Sequence, residues 1–264
     1  MDKLFAASNI TLISRSFFAV VGREIKRFSR YWLQTLVSPI LTTLLYFIVF
    51  GKFLGNNLPE IDGVTYVQFI APGLIMMAII YNAYLNVASS FYGAKFQKYI
   101  EEIIVSPLPD SFLVLAFVIG GVARGIILAV LFGISTVLIV HIPIHNLFLS
   151  IVVISAISLL FSLLVFINGL IAERYEAINF ILVFIITPFS FLGGVFYTTD
   201  MLPIGWSWIN YANPIFYLIN MFRYAVIGVA DGAIVYALIM TAILILVLYI
   251  ISVYLVRTGI GLKQ

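Results

Sequence analysis

The side chains able to do acid–base, nucleophilic or metal chemistry are few, and they keep to the margins of long apolar runs. The 11 carboxylates are Asp2, Glu24, Glu60, Asp62, Glu101, Glu102, Asp110, Glu173, Glu176, Asp200 and Asp231, each in a polar stretch or at the end of a run. No HExxH, GxSxG or carboxylate pair occurs inside a run, so neither metallopeptidase nor serine-hydrolase chemistry has its residues. His141 and His145, in "HIPIH", have the i,i+4 spacing of a helical metal pair, but Pro143 between them predicts a turn. Cysteine is absent, which removes disulfides and thiolate sites. No G-x-x-x-x-G-K-[ST] occurs, and no segment between runs is long enough to fold a nucleotide domain. The chain is read as non-catalytic, with no metal or cofactor of its own.

Two charged features remain. A carrier driven by an ion gradient needs a titratable group at mid-membrane, and no carboxylate or histidine is placed for it. Arg124, in "GGVARGIIL", is the one candidate charge inside a run. Either it lines a polar pathway, paired with a carbonyl or carboxylate from another helix, or it snorkels to the membrane face while residues 125–140 span. The residues leave both open. The Gly121–Gly125 spacing adds little, because Gly51–Gly55 and Gly228–Gly232 repeat it in or near loops.

The second feature is "AKFQKYIEEIIVSPLPDSF", residues 94–112, which crowds Lys95, Lys98, Glu101 and Glu102 between two apolar runs. On a helical wheel over 95–105, Phe96, Ile100, Ile103 and Ile104 share an arc of about 100°, with Lys95, Gln97, Lys98, Glu101 and Glu102 opposite. Pro107 and Pro109 end this helix and set the re-entry into the next run. Both charge signs are present, whereas a purely lipid-binding helix favours lysine and arginine. An apolar ridge with mixed charges fits a protein groove better than a floating interfacial helix.

These features are held by elements built for lipid. The chain of 264 residues is 63% hydrophobic and 9% charged, too apolar to hide its surface in one soluble core. Six runs, 33–54, 67–90, 112–140, 147–172, 178–197 and 233–256, are each long enough to cross about 30 Å of hydrocarbon as helices. Eleven of the 14 basic residues fall on one side of these runs: Lys3, Arg15, Arg23, Lys26, Arg27, Arg30, Lys95, Lys98, Arg174, Arg257 and Lys263. That excess predicts both termini in the cytoplasm, with Lys52 and Arg223 on the far side. The basic residues flank spans and form no soluble patch, so nucleic acid is not an expected partner. No short apolar core with a cleavage site opens the chain, so no signal peptide is expected. Residues 200–232 carry Asn210, Asn213, Pro214, Asn220 and Arg223 and are read as a partly buried outer segment. Trp206, Trp208, Tyr211 and Tyr217 would lie at interface depth. Within 1–32, Phe17, Val21, Ile25, Phe28 and Trp32 share one helical face and Arg23, Lys26, Arg27 and Arg30 the other, which predicts an amphipathic helix on anionic lipid; a helix docked on a partner would look similar, and the two readings are compatible.

Several stretches together resemble the membrane subunits of ABC-2-type exporters, and within that group the short bacterial permeases of the YadH type. They are "QFIAPGLIMMAIIYNAYLNVASSFYGAKFQKYIEEIIVSPLP", "GGVARG", "PFSFLGGVFYTTDMLP" and "ANPIFYLINMFRY". The alanine of "YANP" stands where the pattern has leucine or another apolar residue. The resemblance covers essentially the whole chain. It implies an all-α membrane protein: an N-terminal amphipathic helix (1–32), a six-helix transmembrane domain (33–256) and a short cytoplasmic tail (257–264), in a bacterial inner membrane. It also implies a second copy of the permease and two copies of a separate ABC ATPase subunit, which would bind the ATP and Mg. The coupling helix would be 95–105, with Lys95, Phe96, Lys98, Tyr99, Ile100, Glu101, Glu102 and Ile103 docking the ATPase. Re-entrant helices in 191–203 would close the exit, with Pro188 and Gly193–Gly194 breaking the fifth span. Thr43, Tyr46, Asn82, Tyr84, Asn86, Thr187, Ser190 and Phe191, with Arg124, are the expected substrate pathway for a lipid, glycan or drug. The competing expectation is a membrane scaffold or passive pore that recruits a regulator through 95–105.

Overall fold

A computed structural model describes residues 2–50, 60–61, 63–140, 142, 144–203 and 205–262. Lys52, Asp62, His141, Pro143, Lys263 and the Gly51–Gly55 pair lie outside the described residues. The chain is an all-α polytopic membrane protein: α1 (Asp2–Arg30), α2 (Leu33–Phe50), α3 (Tyr66–Phe96), α4 (Ile100–Val105), α5 (Asp110–Val140), α6 (Leu147–Ile171), α7 (Tyr175–Phe191), α8 (Trp208–Ala212), α9 (Pro214–Ile227) and α10 (Ile234–Thr258). Among these, α2, α3, α5, α6 and α10 are long and apolar enough to cross a bilayer.

The elements end where their residues dictate. Thr65 and Gln68 form a reciprocal capping box that starts α3. Asn146 and Asn213 cap α6 and α9 by accepting from Leu149 N and Ile215 N, both at 2.9 Å. Gly228 and Gly259, at φ 80° and 71°, stop α9 and α10 in the left-handed conformation that glycine adopts at least cost.

The core is a triangle of α3, α5 and α6, with α9 laid across α3 and α6 and α1 against α5. By contrast, α2 and α10 bury only 11% of their spanning windows and turn apolar faces outward. The triangle closes tightly because Gly121 and Gly125 of α5 face Ser162 and Ser158 of α6. A Cβ on either glycine would sit 2.1 Å from the facing serine Oγ. The spacing that adds little as a pattern is therefore the site of closest helix approach. Gly121→Ala is expected to cost about 1–3 kcal/mol of stability through overpacking. Gly133→Ala, with no atom within 4 Å of its Cβ, is expected to cost under about 0.5 kcal/mol. Unfolding in detergent measures both, and equal losses would remove the close-packing explanation.

Three expectations are corrected. The fifth apolar run does not remain helical to 197: α7 stops at Phe191, because Gly194 at φ 73° turns the chain. Within α7, Leu182–Ile186 is wound as a wider π turn. The segment 95–105 is not one helix, because α3 runs through Phe96 and Lys98 takes φ 62°, a left-handed break before α4. Finally, α1 buries Val21, Glu24 and Phe28, with Phe17 edge-on to Phe112, whereas Ile25 and Trp32 are exposed. Its inward stripe follows the helical spacing 17, 21, 24, 28 and places a carboxylate inside, paired with Arg23 and Arg27 of the same helix and bonded to the Ser90 hydroxyl of α3.

Residues 200–232 form no spanning helix. α9 has 14 residues, about 21 Å long, too short to cross. Trp206, Trp208 and Tyr211 are exposed beside it, while Asn210, Asn213, Asn220 and Arg223 are buried.

Candidate functional site

Two adjoining cavities open on the basic end of the bundle, where α1, the C-terminal end of α3 and the start of α5 meet. The first is a vestibule of about 790 Å³ bordered by Arg23, Lys26, Arg27 and Arg30 of α1 and by Gly93, Gln97 and Tyr99. The second is a cleft of about 760 Å³ between α2 and α3, reached by Arg124 from α5 and by Tyr175 and Phe191 of α7. Arg27, Tyr31 and Ser89 belong to both walls.

A polar stripe of α3 runs beside the cleft: Asn82, Asn86 and Ser89/Ser90 recur at helical spacing in an otherwise apolar helix, and Asn82 and Ser89 line the cleft itself. Arg124 Nη2 donates to Asn82 Oδ1 at 2.6 Å and to the Thr35 carbonyl at 3.1 Å. One turn on, Arg27 Nη2 donates to the Asn86 carbonyl at 2.8 Å and to its Oδ1 at 3.0 Å, while Nη1 reaches Ser89 Oγ at 2.9 Å. Glu24, fully buried, accepts from Arg27 Nε at 3.3 Å and Arg23 Nη2 at 3.2 Å, and from the Ser90 hydroxyl. Arg124 is 8% exposed, and its Nε has no hydrogen-bond partner. Arg124 is thus bonded to α2 and α3 at the cleft wall rather than extended to the membrane face.

Of the expected pathway residues, Thr43, Tyr46, Asn82, Arg124 and Phe191 line the cleft. Thr187 sits behind the wall, hydrogen-bonded to Tyr81. Tyr84, Asn86 and Ser190 are buried in the bundle and do not line it. Tyr84 joins three helices, donating to the Ile178 carbonyl at 2.9 Å and accepting from Asn168 at 2.7 Å. Arg27, Gln34, Thr35 and Tyr81 are wall residues that the sequence reading missed. The α3 polar stripe was the available signal, since its partners had to be donors from neighbouring helices.

The charged segment beside the vestibule divides into an inward and an outward set. Lys95, expected on the docking face, is 7% exposed and turned inward. Its Nζ donates to the carbonyls of Leu170 and Ala172 at 2.8 Å, with Gly169 O at 3.5 Å, closing the C-terminal end of α6. Ile100 and Ile103 are also buried, in the chain's own core rather than in an open ridge. Phe96, at 75% exposure, with Lys98, Glu101, Glu102, Ile104 and Val105, faces outward. Tyr99 is half-buried with the Arg23 guanidinium 5.0 Å from its ring centre. Burial pushes its phenol up, and Arg23 opposes that rise. Among the described residues no group of three or more metal-ligating side chains occurs.

At the opposite end, Arg223 is fully buried. It donates to the carbonyls of Phe69 (3.3 Å) and Gly194 (2.5 Å) and to Asn220 Oδ1 (2.9 Å), and its guanidinium lies 3.9 Å from the Phe69 ring centre. Tyr66 donates to the Phe196 carbonyl at 3.1 Å, and Asn213 to the Phe189 carbonyl at 2.6 Å. These bonds pin segment 191–203 across the top of α3.

The pattern of the ABC-2 type transporter family matches residues 15–227. The inner membrane transport permease YadH of Escherichia coli K12 is 40% identical over 246 residues, covering 93% of this chain and 96% of the relative. Nodulation protein J of Rhizobium meliloti is 22% identical over 86% of this chain and 87% of its own length. Nodulation protein J of Rhizobium leguminosarum bv. viciae is 22% identical over 92% and 94%. The five long apolar helices agree with these likenesses. The chain belongs to the ABC-2 type transporter family, as a non-catalytic permease subunit that passes several times through the bacterial inner membrane.

Proposed function

We propose that the chain is the membrane half of an ATP-driven exporter, working as a dimer above two separate ATPase subunits that bind ATP and Mg. On this reading α7 counts as a sixth span, the basic end and both termini face the cytoplasm, and segment 191–203 closes the outer exit. The cargo is a hydrophobic or amphipathic molecule, a lipid, glycan or drug, taken from the cytoplasm or inner leaflet through the cleft.

The observation that carries this is the way α4 is mounted. Its Glu101 and Glu102, with Phe96 at the end of α3 and Lys98 in the break, are offered to a partner, while Ile100 and Ile103 root it in the core beside α3. A force on that surface is therefore delivered to the helices that line the cleft. The outward apolar faces of α2 and α10 leave room for a second copy or lipid.

Co-expression with candidate ATPases is expected to yield a stable complex with stimulated ATP hydrolysis. The double reversal Glu101→Lys/Glu102→Lys is expected to reduce that stimulation at least about tenfold, since like charges facing a complementary groove cost several kcal/mol. A chain that bound no ATPase, and whose transport survived the reversal, would instead be a scaffold or passive pore.

A further inference from the structure

We infer that the cleft selects amphiphiles with an acidic headgroup, a phosphate or carboxylate, seated between Arg124 and Arg27 with its hydrocarbon part toward Leu74, Met77 and Phe191. The inference rests on the reading of the cleft as the substrate site. The two guanidiniums stand one turn apart along α3, at Asn82 and Asn86, so their like charges repel across a poorly screened space. Glu24 is divided between Arg23 and Arg27, whereas Arg124 is bonded to a neutral amide and a backbone carbonyl. Among the described residues no carboxylate pairs with Arg124; a buried guanidinium in that state is costly, and an anion entering the cleft offsets that cost. Arg124 lines the cleft, and its buried Nε–H has no hydrogen-bond partner, so the guanidinium's donors are not all met by the chain.

Access fits the same chemistry. The vestibule presents Arg23, Lys26 and Arg30 ahead of Arg27, a graded positive approach that draws an anion inward. Beyond Arg124 the wall turns apolar and aromatic, with Leu74, Met77, Tyr46 and Phe191. A charged head and an oily tail are thus accommodated in sequence. A neutral glycan or a cationic drug would leave the Arg124 charge uncompensated.

The test uses the full purified chain in neutral detergent, with no ATPase, and acyl-labelled phosphatidylglycerol and phosphatidylcholine of identical chains. Phosphatidylglycerol is expected to bind about tenfold more tightly, the size of one charge-assisted contact. Arg124→Gln is expected to abolish the preference and Arg124→Lys to keep part of it. Asn82→Asp, which retains size and places a carboxylate on Arg124, is expected to fold yet lose the preference. It keeps the test decisive if Arg124→Gln does not fold. Glycerol phosphate, a head without a tail, is expected to compete at least about tenfold less well than the lipid. Equal binding of the two lipids, an undiminished preference in Asn82→Asp, or equal competition by glycerol phosphate would each overturn the inference. An anion preference in a chain that engages no ATPase would sink the exporter reading alone. A stimulated ATPase complex without the preference would sink this inference alone.

Discussion

Arg223→Met is expected to lower the unfolding free energy by about 2–4 kcal/mol, measured by detergent-induced unfolding followed by circular dichroism. The change removes the donor to the Phe69 and Gly194 carbonyls and to Asn220, all inside the packed end opposite the basic one. Neutral interhelical hydrogen bonds in membranes are worth only about 0.6 kcal/mol each, because the unfolded chain in lipid also finds partners. Here one cation serves three acceptors and an aromatic face, so the loss is larger and concerted. Arg223→Lys is expected to recover less than half, since a single ammonium cannot reproduce the planar fork. A loss below about 0.5 kcal/mol for the methionine variant would mean that the outer segment is held by packing alone.

Lys95→Met is expected to cost about 1.5–3 kcal/mol and to weaken ATPase stimulation without weakening ATPase binding. Its ammonium has three donors, and the end of α6 supplies the Leu170, Ala172 and Gly169 carbonyls to meet them. The negative end of the α6 dipole adds to the attraction. Lys98→Met, on the exposed break, is expected to leave stability within about 0.5 kcal/mol and to act on binding instead. Co-purification and unfolding of the two variants separate these effects. If Lys95→Met lost the ATPase while keeping full stability, Lys95 would belong to the partner surface after all.

The contrast between Lys95 and Lys98 shows where sequence reading reaches its limit. Hydropathy placed the long runs well, since 20 apolar residues have few fates besides a span. It could not place Lys95, because a wheel assumes an unbroken helix and a left-handed lysine is invisible to periodicity. Glu24 failed in the same way: a lone acid among arginines reads as solvated until its partners on α3 are known. Arg124 could be found as an anomaly but not interpreted, because Asn82 and Thr35 lie 42 and 89 positions away. The α5–α6 contact was underrated, since its glycines matter through the serines opposite them. Local pattern carried the elements; the site arose from pairings between elements.

The unbroken run of α3 has a mechanical meaning. Its 31 residues extend about 46 Å, from the segment bearing α4 to the tyrosine held by Phe196. Between the α4 end and Pro72 such a rod has few internal degrees of freedom, so a tilt imposed at that tip is carried along it without a relay. Pro72 interrupts the stiffness nearly two turns from the Tyr66 tip, where its missing N–H frees a carbonyl and softens bending. Asn82 lies near the middle, where a rod that pivots about its centre travels least laterally. If the chain works as the exporter proposed above, a lever of this shape would give a large stroke at segment 191–203 and a small one at Asn82, so that a cargo's contacts would persist while the exit opened.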